Sequence, residues 1–215
     1  MARSRLSLSL LFAVLSCCCV AGGYAARPAP STSNVVDDPA SASFVKSRCA
    51  GTEYPALCDA TLAPYAATVG ASPARLAWAA LTVTLGGARN ATAAMKRMAA
   101  DGGLSPVAAE AAEDCVSMLG DAVDSLKQSV SAMALVGEQE GRREEAQKVK
   151  FEVDNVLTWA SAALTNDNMC MEGFKGEAAG GGGAREAVRG HVMGLVHLTA
   201  NALGIINAMS NHTQP

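Results

Sequence analysis

Cysteines, histidines and one row of aspartates are the side chains of this 215-residue chain with chemistry to place. Cys49, Cys58, Cys115 and Cys170 form no C-x-x-C pair of the kind that opens a zinc site. His191 and His197 stand six residues apart, so they leave one helix on different faces and cannot share a metal as an i, i+4 pair. His191 falls on an apolar stripe and reads as a structural histidine; His212 stands alone. No G-x-S-x-G nucleophile turn occurs. The glycines at 180–183 lack the Lys-Ser/Thr of a phosphate loop and read as a flexible connection. Trp78 and Trp159 read as core aromatics. With its cysteines in disulfides the chain has no thiol nucleophile, so neither catalysis, a metal nor a cofactor is expected. What remains is a surface: Asp114, Asp121, Asp124 and Gln128, with Ser117 beside them, recur along one helical face. Such a row is either a solvated face or a binding one.

The compartment follows from the first residues. Arg3 and Arg5 precede an apolar run from Leu6 to Val20 and then "AGGYA", the pattern of a secretory signal peptide cleaved after Ala25. The run is shorter than the roughly 20 residues that span a bilayer, and no later segment is expected to be long and apolar enough to qualify. Cleavage would remove Cys17, Cys18 and Cys19 and leave four cysteines in an oxidising compartment, where two disulfides are the default. It would also take Arg3 and Arg5 from the 17 basic residues, leaving 15 against 20 acidic ones and a net charge near −5. That charge disfavours nucleic acid and anionic membranes and suits a basic partner. The sequons at Asn90 and Asn211 are glycosylation candidates.

The elements that must position these groups are helical. Residues 26–40 are rich in Pro and Ser and are expected to be disordered. Short helical pieces follow over 41–68, and strand signals are nearly absent. Ser72-Pro73 and Ser105-Pro106 are N-cap and first-turn signals for two long helices, reaching about Ala100 and Val136. Cys115, Leu119, Ala122, Leu126, Ser129, Met133 and Val136 recur at alternating steps of four and three along the second. A third helix is expected over about Arg143–Leu164, seamed by Val149, Val153, Val156, Ala160 and Ala163, with the Thr-Asn-Asp-Asn run of 165–168 ending it. A fourth runs from about Ala184 to Met209 on Val188, His191, Leu195, Leu198, Ala202, Ile205 and Met209. Four such helices over 72–210 predict an all-α, up-down-up-down bundle preceded by a helical hairpin.

Spacing favours one disulfide pairing. Cys49 and Cys58 flank Gly51 and Pro55, which can turn the chain back on itself. Cys115 lies near the start of the second long helix and Cys170 beyond the expected end of the third. Antiparallel helices bring those two ends together, so Cys115–Cys170 can staple them.

The stretches "CAGTEYPALC", "AAEDCVSMLGDAVDSL", "TWASAALTNDNMCMEGF" and "HLTANALGIINAM", in that order and with that cysteine spacing, resemble the plant invertase and pectin methylesterase inhibitor family over about residues 44–210. The resemblance implies an inhibitor domain over 41–210, a helical hairpin and four-helix bundle, and a disulfide in each. It also implies a secreted cell-wall (apoplast) protein. Such a protein would block a pectin methylesterase reversibly and 1:1, covering the pectin-binding cleft through its second, third and fourth bundle helices. Asp121 and Asp124 stand in the family-like "DAVDSL". The invertase-directed branch tends to carry Pro-Lys-Phe before the third helix. Here Val149 precedes Lys150-Phe151, so the esterase is the expected partner and a cell-wall or vacuolar invertase the alternative. A reading of another class is a secreted carrier holding an apolar ligand where the Ala- and Gly-rich first helix leaves space.

Overall fold

The computed structural model describes residues 38–212. The signal segment expected at 1–25 and the mature N-terminus up to 37 lie outside them. Helix α1, Pro39–Cys49, starts inside the stretch expected to be disordered up to residue 40. Asp38 makes that start possible by accepting from the Ala40 amide at 3.2 Å and the Ser41 hydroxyl at 2.8 Å. The Ser41 bond, then the Ala40 amide, hold the Asp38 carboxyl below its ordinary value. Helix α2, Pro55–Leu62, runs through a 3₁₀ turn into the short α3, Ala66–Val69.

Serine followed by proline opens the first two long helices. In α4, Pro73–Ala100, Ser72 Oγ accepts from the Arg75 amide at 3.1 Å. In α5, Pro106–Gln139, Ser105 Oγ accepts from the Ala108 amide at 3.3 Å. Each cap satisfies one of the amides a helix start leaves free, and proline costs nothing where no amide partner exists. Gly102, at φ +65°, turns the chain between α4 and α5, and Gly141, at φ +86°, between α5 and α6, Ala146–Gly173. Both sit in the left-handed region where a Cβ is penalised. The Ser72 hydroxyl also meets Glu140, tying the start of α4 to the end of α5.

Helix α4 packs on α5 and on α7, Gly183–His212, and α6 packs on the same two, which makes the four-membered ring of an antiparallel bundle. All seven expected seam residues of α5 are buried. In α4 the inner face is largely alanine. Leu195 and Leu198 of α7 fill the space in front of Gly87, where an added Cβ would come within 3.1 Å of Leu198 Cδ1. The room that an Ala- and Gly-rich helix could have left for an apolar ligand is occupied there by leucine.

Three expectations need correction. Helix α6 spans Ala146–Gly173, beginning after a 3₁₀ turn at Arg143–Glu145 and passing straight through Thr165–Asn168. Those side chains do not unwind it. Thr165 Oγ1 donates to the Ser161 carbonyl at 3.0 Å and Asn168 Nδ2 to the Leu164 carbonyl at 3.0 Å, which satisfies them within the helix. The seam also runs on, through Ala163, Asp167, Cys170 and Phe174, all buried, so packing outweighs the weak local propensity. Cys170 is therefore inside a helix and not in a polar loop.

The second correction is in α7, Gly183–His212. His191 is exposed, and Val192 and Thr199 take the buried positions with Val188, Leu195, Ala202, Ile205 and Met209. The glycines before it are wound into a 3₁₀ turn over Gly176–Gly182. Third, α7 is long and apolar enough to cross a membrane by length and composition. That character comes from a core-facing stripe turned toward α4 and α6, with Thr199 and Asn201 buried along it.

The hairpin is docked by a polar clasp. Asn201, 3% exposed, donates from Nδ2 to the Tyr54 carbonyl at 3.0 Å and accepts from the Tyr54 amide at 2.9 Å. The Tyr54 ring stacks on His197 with centroids 3.8 Å apart. His197 thus packs a hairpin against the bundle.

Candidate partner-binding face

The outer surface of α5 and α6 is assembled from two heptad-like helices whose inner rows are buried, which leaves the opposite rows to solvent. Disulfides join Cys49 to Cys58 and Cys115 to Cys170. The second is the floor of this surface. It fixes the register of α5 against α6, and its sulfurs lie under a cleft of about 200 Å³. Val107, Glu110, Asp114 and Met118 wall the cleft on α5, and Met169 and Gly173 on α6.

Asp114, Ser117, Asp121, Asp124 and Gln128 are all exposed on α5. The structure separates them in role. Asp114 belongs to the cleft over the disulfide, while Asp121, Asp124 and Gln128 continue the row toward the far end of the helix. Asp124 is paired with Lys127 at 2.8 Å, both side chains more than half exposed. Gln128 Nε2 reaches the Asp124 carbonyl at 3.5 Å, a marginal contact. An exposed pair of this kind is worth at most about 1 kcal/mol and leaves Asp124 accessible to a competing cation. Asp121 has no ion-pair partner among the described residues.

Sequence reasoning missed the apolar half of the face. Leu135 and Phe151 are 50% and 63% exposed. Each lies about twenty residues from the disulfide, Leu135 along α5 and Phe151 along α6, so the antiparallel register sets them level. Val107 and Met169, 45% and 49% exposed, close the opposite end above the cleft. The surface thus carries an acidic row with exposed apolar side chains at either end, Glu110 and Asp114 standing beside Val107 and Met169. Lys150, beside Phe151, is held by Asp154 at 2.7 Å. A large ring kept in water next to an ion pair is the composition of a docking anchor. The signal was available: Phe151 is off the 149–153–156 seam.

No group of three or more His, Cys, Asp or Glu arranged to hold a metal occurs among the described residues. Trp78 and Trp159 are half-buried and pack against the core. Of the two sequons, Asn90 is exposed midway along α4, where the Thr92 hydroxyl donates to the Ala88 carbonyl at 2.7 Å. Asn211 is exposed in the last turn of α7.

The family model described as plant invertase/pectin methylesterase inhibitor matches residues 43–205. The chain belongs to that family. Pectinesterase inhibitor 10 of Arabidopsis thaliana is 36% identical over 164 residues, covering 76% of this chain but only 50% of that protein. The chain thus spans about half the length of that relative. Pectinesterase inhibitor 11 of Arabidopsis thaliana is 32% identical over 210 residues, 98% of both chains. Among solved structures, a mutant form of a pectin methylesterase inhibitor from Arabidopsis aligns over 74% of this chain and 92% of its own, with a TM-score of 0.53 at 20% identity. That likeness concerns the fold.

Proposed function

We propose that this family member is a secreted inhibitor of pectin methylesterase, itself without hydrolase activity. In this reading it lays the α5–α6 face across the pectin-binding cleft of the enzyme in a reversible 1:1 complex. The observation that carries the reading is that face: an acidic row bracketed by exposed Val107, Met169, Leu135 and Phe151, on a pair of helices locked by a disulfide. Its apolar ends supply contact area, and its aspartates suit a basic esterase, speeding encounter and fixing register more than adding affinity. Covering the cleft excludes pectin from the enzyme's catalytic carboxylates without chemistry on the inhibitor's side. The names of the relatives and the absence of Pro-Lys-Phe before α6 favour the esterase over an invertase. The N-terminal apolar run and the disulfides favour the cell wall as the site of action.

Titration of the purified protein against a plant pectin methylesterase and, separately, a cell-wall invertase tests this. Stoichiometric loss of esterase activity with invertase unaffected is expected. Inhibition of the invertase alone would reverse the assignment of target. Turnover of pectin or sucrose by the protein itself would overturn the inhibitor reading.

A further inference from the structure

Among the described residues, one ionisable side chain lies fully inside the bundle. Asp167 occupies a seam position of α6 between Ala163 and Cys170 and is 0% exposed. Its Oδ2 lies 2.9 Å from Thr199 Oγ1 on α7, and its Oδ1 has no partner. Thr199 Oγ1 is also 2.9 Å from the Leu195 carbonyl. A hydroxyl carries one proton and cannot donate to both.

A neutral carboxyl resolves the count. Asp167 Oδ2–H then donates to Thr199 Oγ1, which donates in turn to the Leu195 carbonyl. The bare Oδ1 is left as an uncharged acceptor, the cheapest kind of group to leave alone. A carboxylate reverses the order. Thr199 must swing its proton to Asp167 and abandon Leu195, and an anion with a single hydrogen bond is left among apolar side chains. Among the described residues no cation offsets it. The other described buried polar groups of the bundle helices are Thr84 on α4, Ser129 on α5, and Thr199 and Asn201 on α7, none of them titratable in the physiological range. Burial, opposed only by the Thr199 bond, pushes the Asp167 carboxyl up to about 7.

We propose that Asp167 and Thr199 form a protonation-controlled latch between α6 and α7, shut while the carboxyl is neutral and loosened when it ionises. The Cys115–Cys170 bond, three residues along, holds α6 to α5, so the loosening falls on the α6–α7 side. Because the folded value lies above the ordinary 3.8, the fold prefers the protonated form. The stability this contributes is complete below about pH 4 and is lost as pH climbs to about 7. The latch is therefore shut at mildly acidic pH, passes its midpoint near neutral pH and opens above it, and it stands apart from any identity of the partner.

The test uses the intact, oxidised protein with ¹³C-labelled aspartate carboxyls, titrated from about pH 4 to 8 by NMR. Urea unfolding of wild type and Asp167→Asn is followed over the same range. One carboxyl, missing in Asp167→Asn, is expected to titrate near 7. Relative to Asp167→Asn, whose amide can mimic the neutral acid, the wild-type unfolding constant should rise by up to about tenfold per pH unit between pH 4 and 7. Should Asp167→Asn not fold, Thr199→Val serves: Thr199 is the carboxyl's hydrogen-bond partner, so its loss should move that resonance's midpoint. A midpoint near 4 in the folded protein, superimposable pH–stability curves, or a midpoint unmoved in Thr199→Val would overturn the latch.

Discussion

The two sides of α6 are built from different chemistry. Toward α5 it is held by a covalent bond, Cys115–Cys170, beneath a surface exposed to solvent. Toward α7 it is held by packing around one buried carboxyl and one hydroxyl, Asp167 and Thr199. The covalent seam carries the candidate binding face and ties α5 to α6 through a bond that does not titrate. The polar seam carries no exposed feature of the candidate site and is the one whose strength follows protonation. A single helix can thus present a rigid surface on one edge and retain adjustable packing on the other.

The comparison breaks most visibly if the covalent seam is removed. Replacing Cys115 and Cys170 together by serine opens a loop with a sequence separation of 55 and is expected to cost about 4 kcal/mol on the chain-entropy model. The cost should appear as a lower urea midpoint. Removing Cys49–Cys58, with a separation of 9, should cost less, nearer 3 kcal/mol on the same model. In the double serine variant the α5–α6 amides should lose protection from hydrogen exchange, so that both sides of α6 become breakable. Unchanged stability would mean that packing alone holds α6 to α5.

A second change isolates the hairpin from both seams. Asn201→Ala removes two hydrogen bonds to Tyr54 and leaves a buried amide and carbonyl to find other partners, at about 1–3 kcal/mol. Hydrogen exchange should quicken at residues 52–58 while α5 and α6 remain protected. Protection lost equally across α5 and α6 would show that the hairpin supports the bundle as a whole.

How much of this was legible in the sequence depends on periodicity. The α5 seam could be read residue by residue because nothing polar interrupts it except Ser129, which donates to the Ser125 carbonyl at 3.0 Å within its own helix. The α6 seam continues at the same steps to Phe174, but Thr-Asn-Asp-Asn reads locally as a helix stop. Only the tertiary partner Thr199 makes a core position of Asp167. His191 failed in the opposite sense: it keeps the spacing of a stripe, yet the neighbouring Val192 is turned inward. The Tyr54–Asn201 clasp joins residues 147 apart and has no periodic signature. On the candidate face, the spacing of the aspartates was visible, whereas the levelling of Phe151 with Leu135 needed the register set by the disulfide.

A smaller effect on the fold, with a large one on binding, is expected from the face itself. Phe151→Ser should leave stability within about 0.5 kcal/mol, since the ring is already mostly in water. It should weaken inhibition of a pectin methylesterase by more than about 1 kcal/mol, as loss of an aromatic anchor does. Inhibition constants of the folded variant and wild type check this. Equal constants would remove Phe151 from the interface.

The most direct measurement concerns Asp121 and Asp124. Reversing both to lysine should leave the thermal midpoint nearly unchanged, since exposed substitutions cost within about 0.5 kcal/mol. Surface plasmon resonance against a basic plant pectin methylesterase, at about 20 and 200 mM salt, then reads the face alone. Association by the double variant is expected to be slower by about tenfold at the lower salt, with a flatter salt dependence, because screening acts on these exposed charges. A double variant that binds and inhibits like wild type at low salt would contradict the assignment and place the contact elsewhere on the bundle.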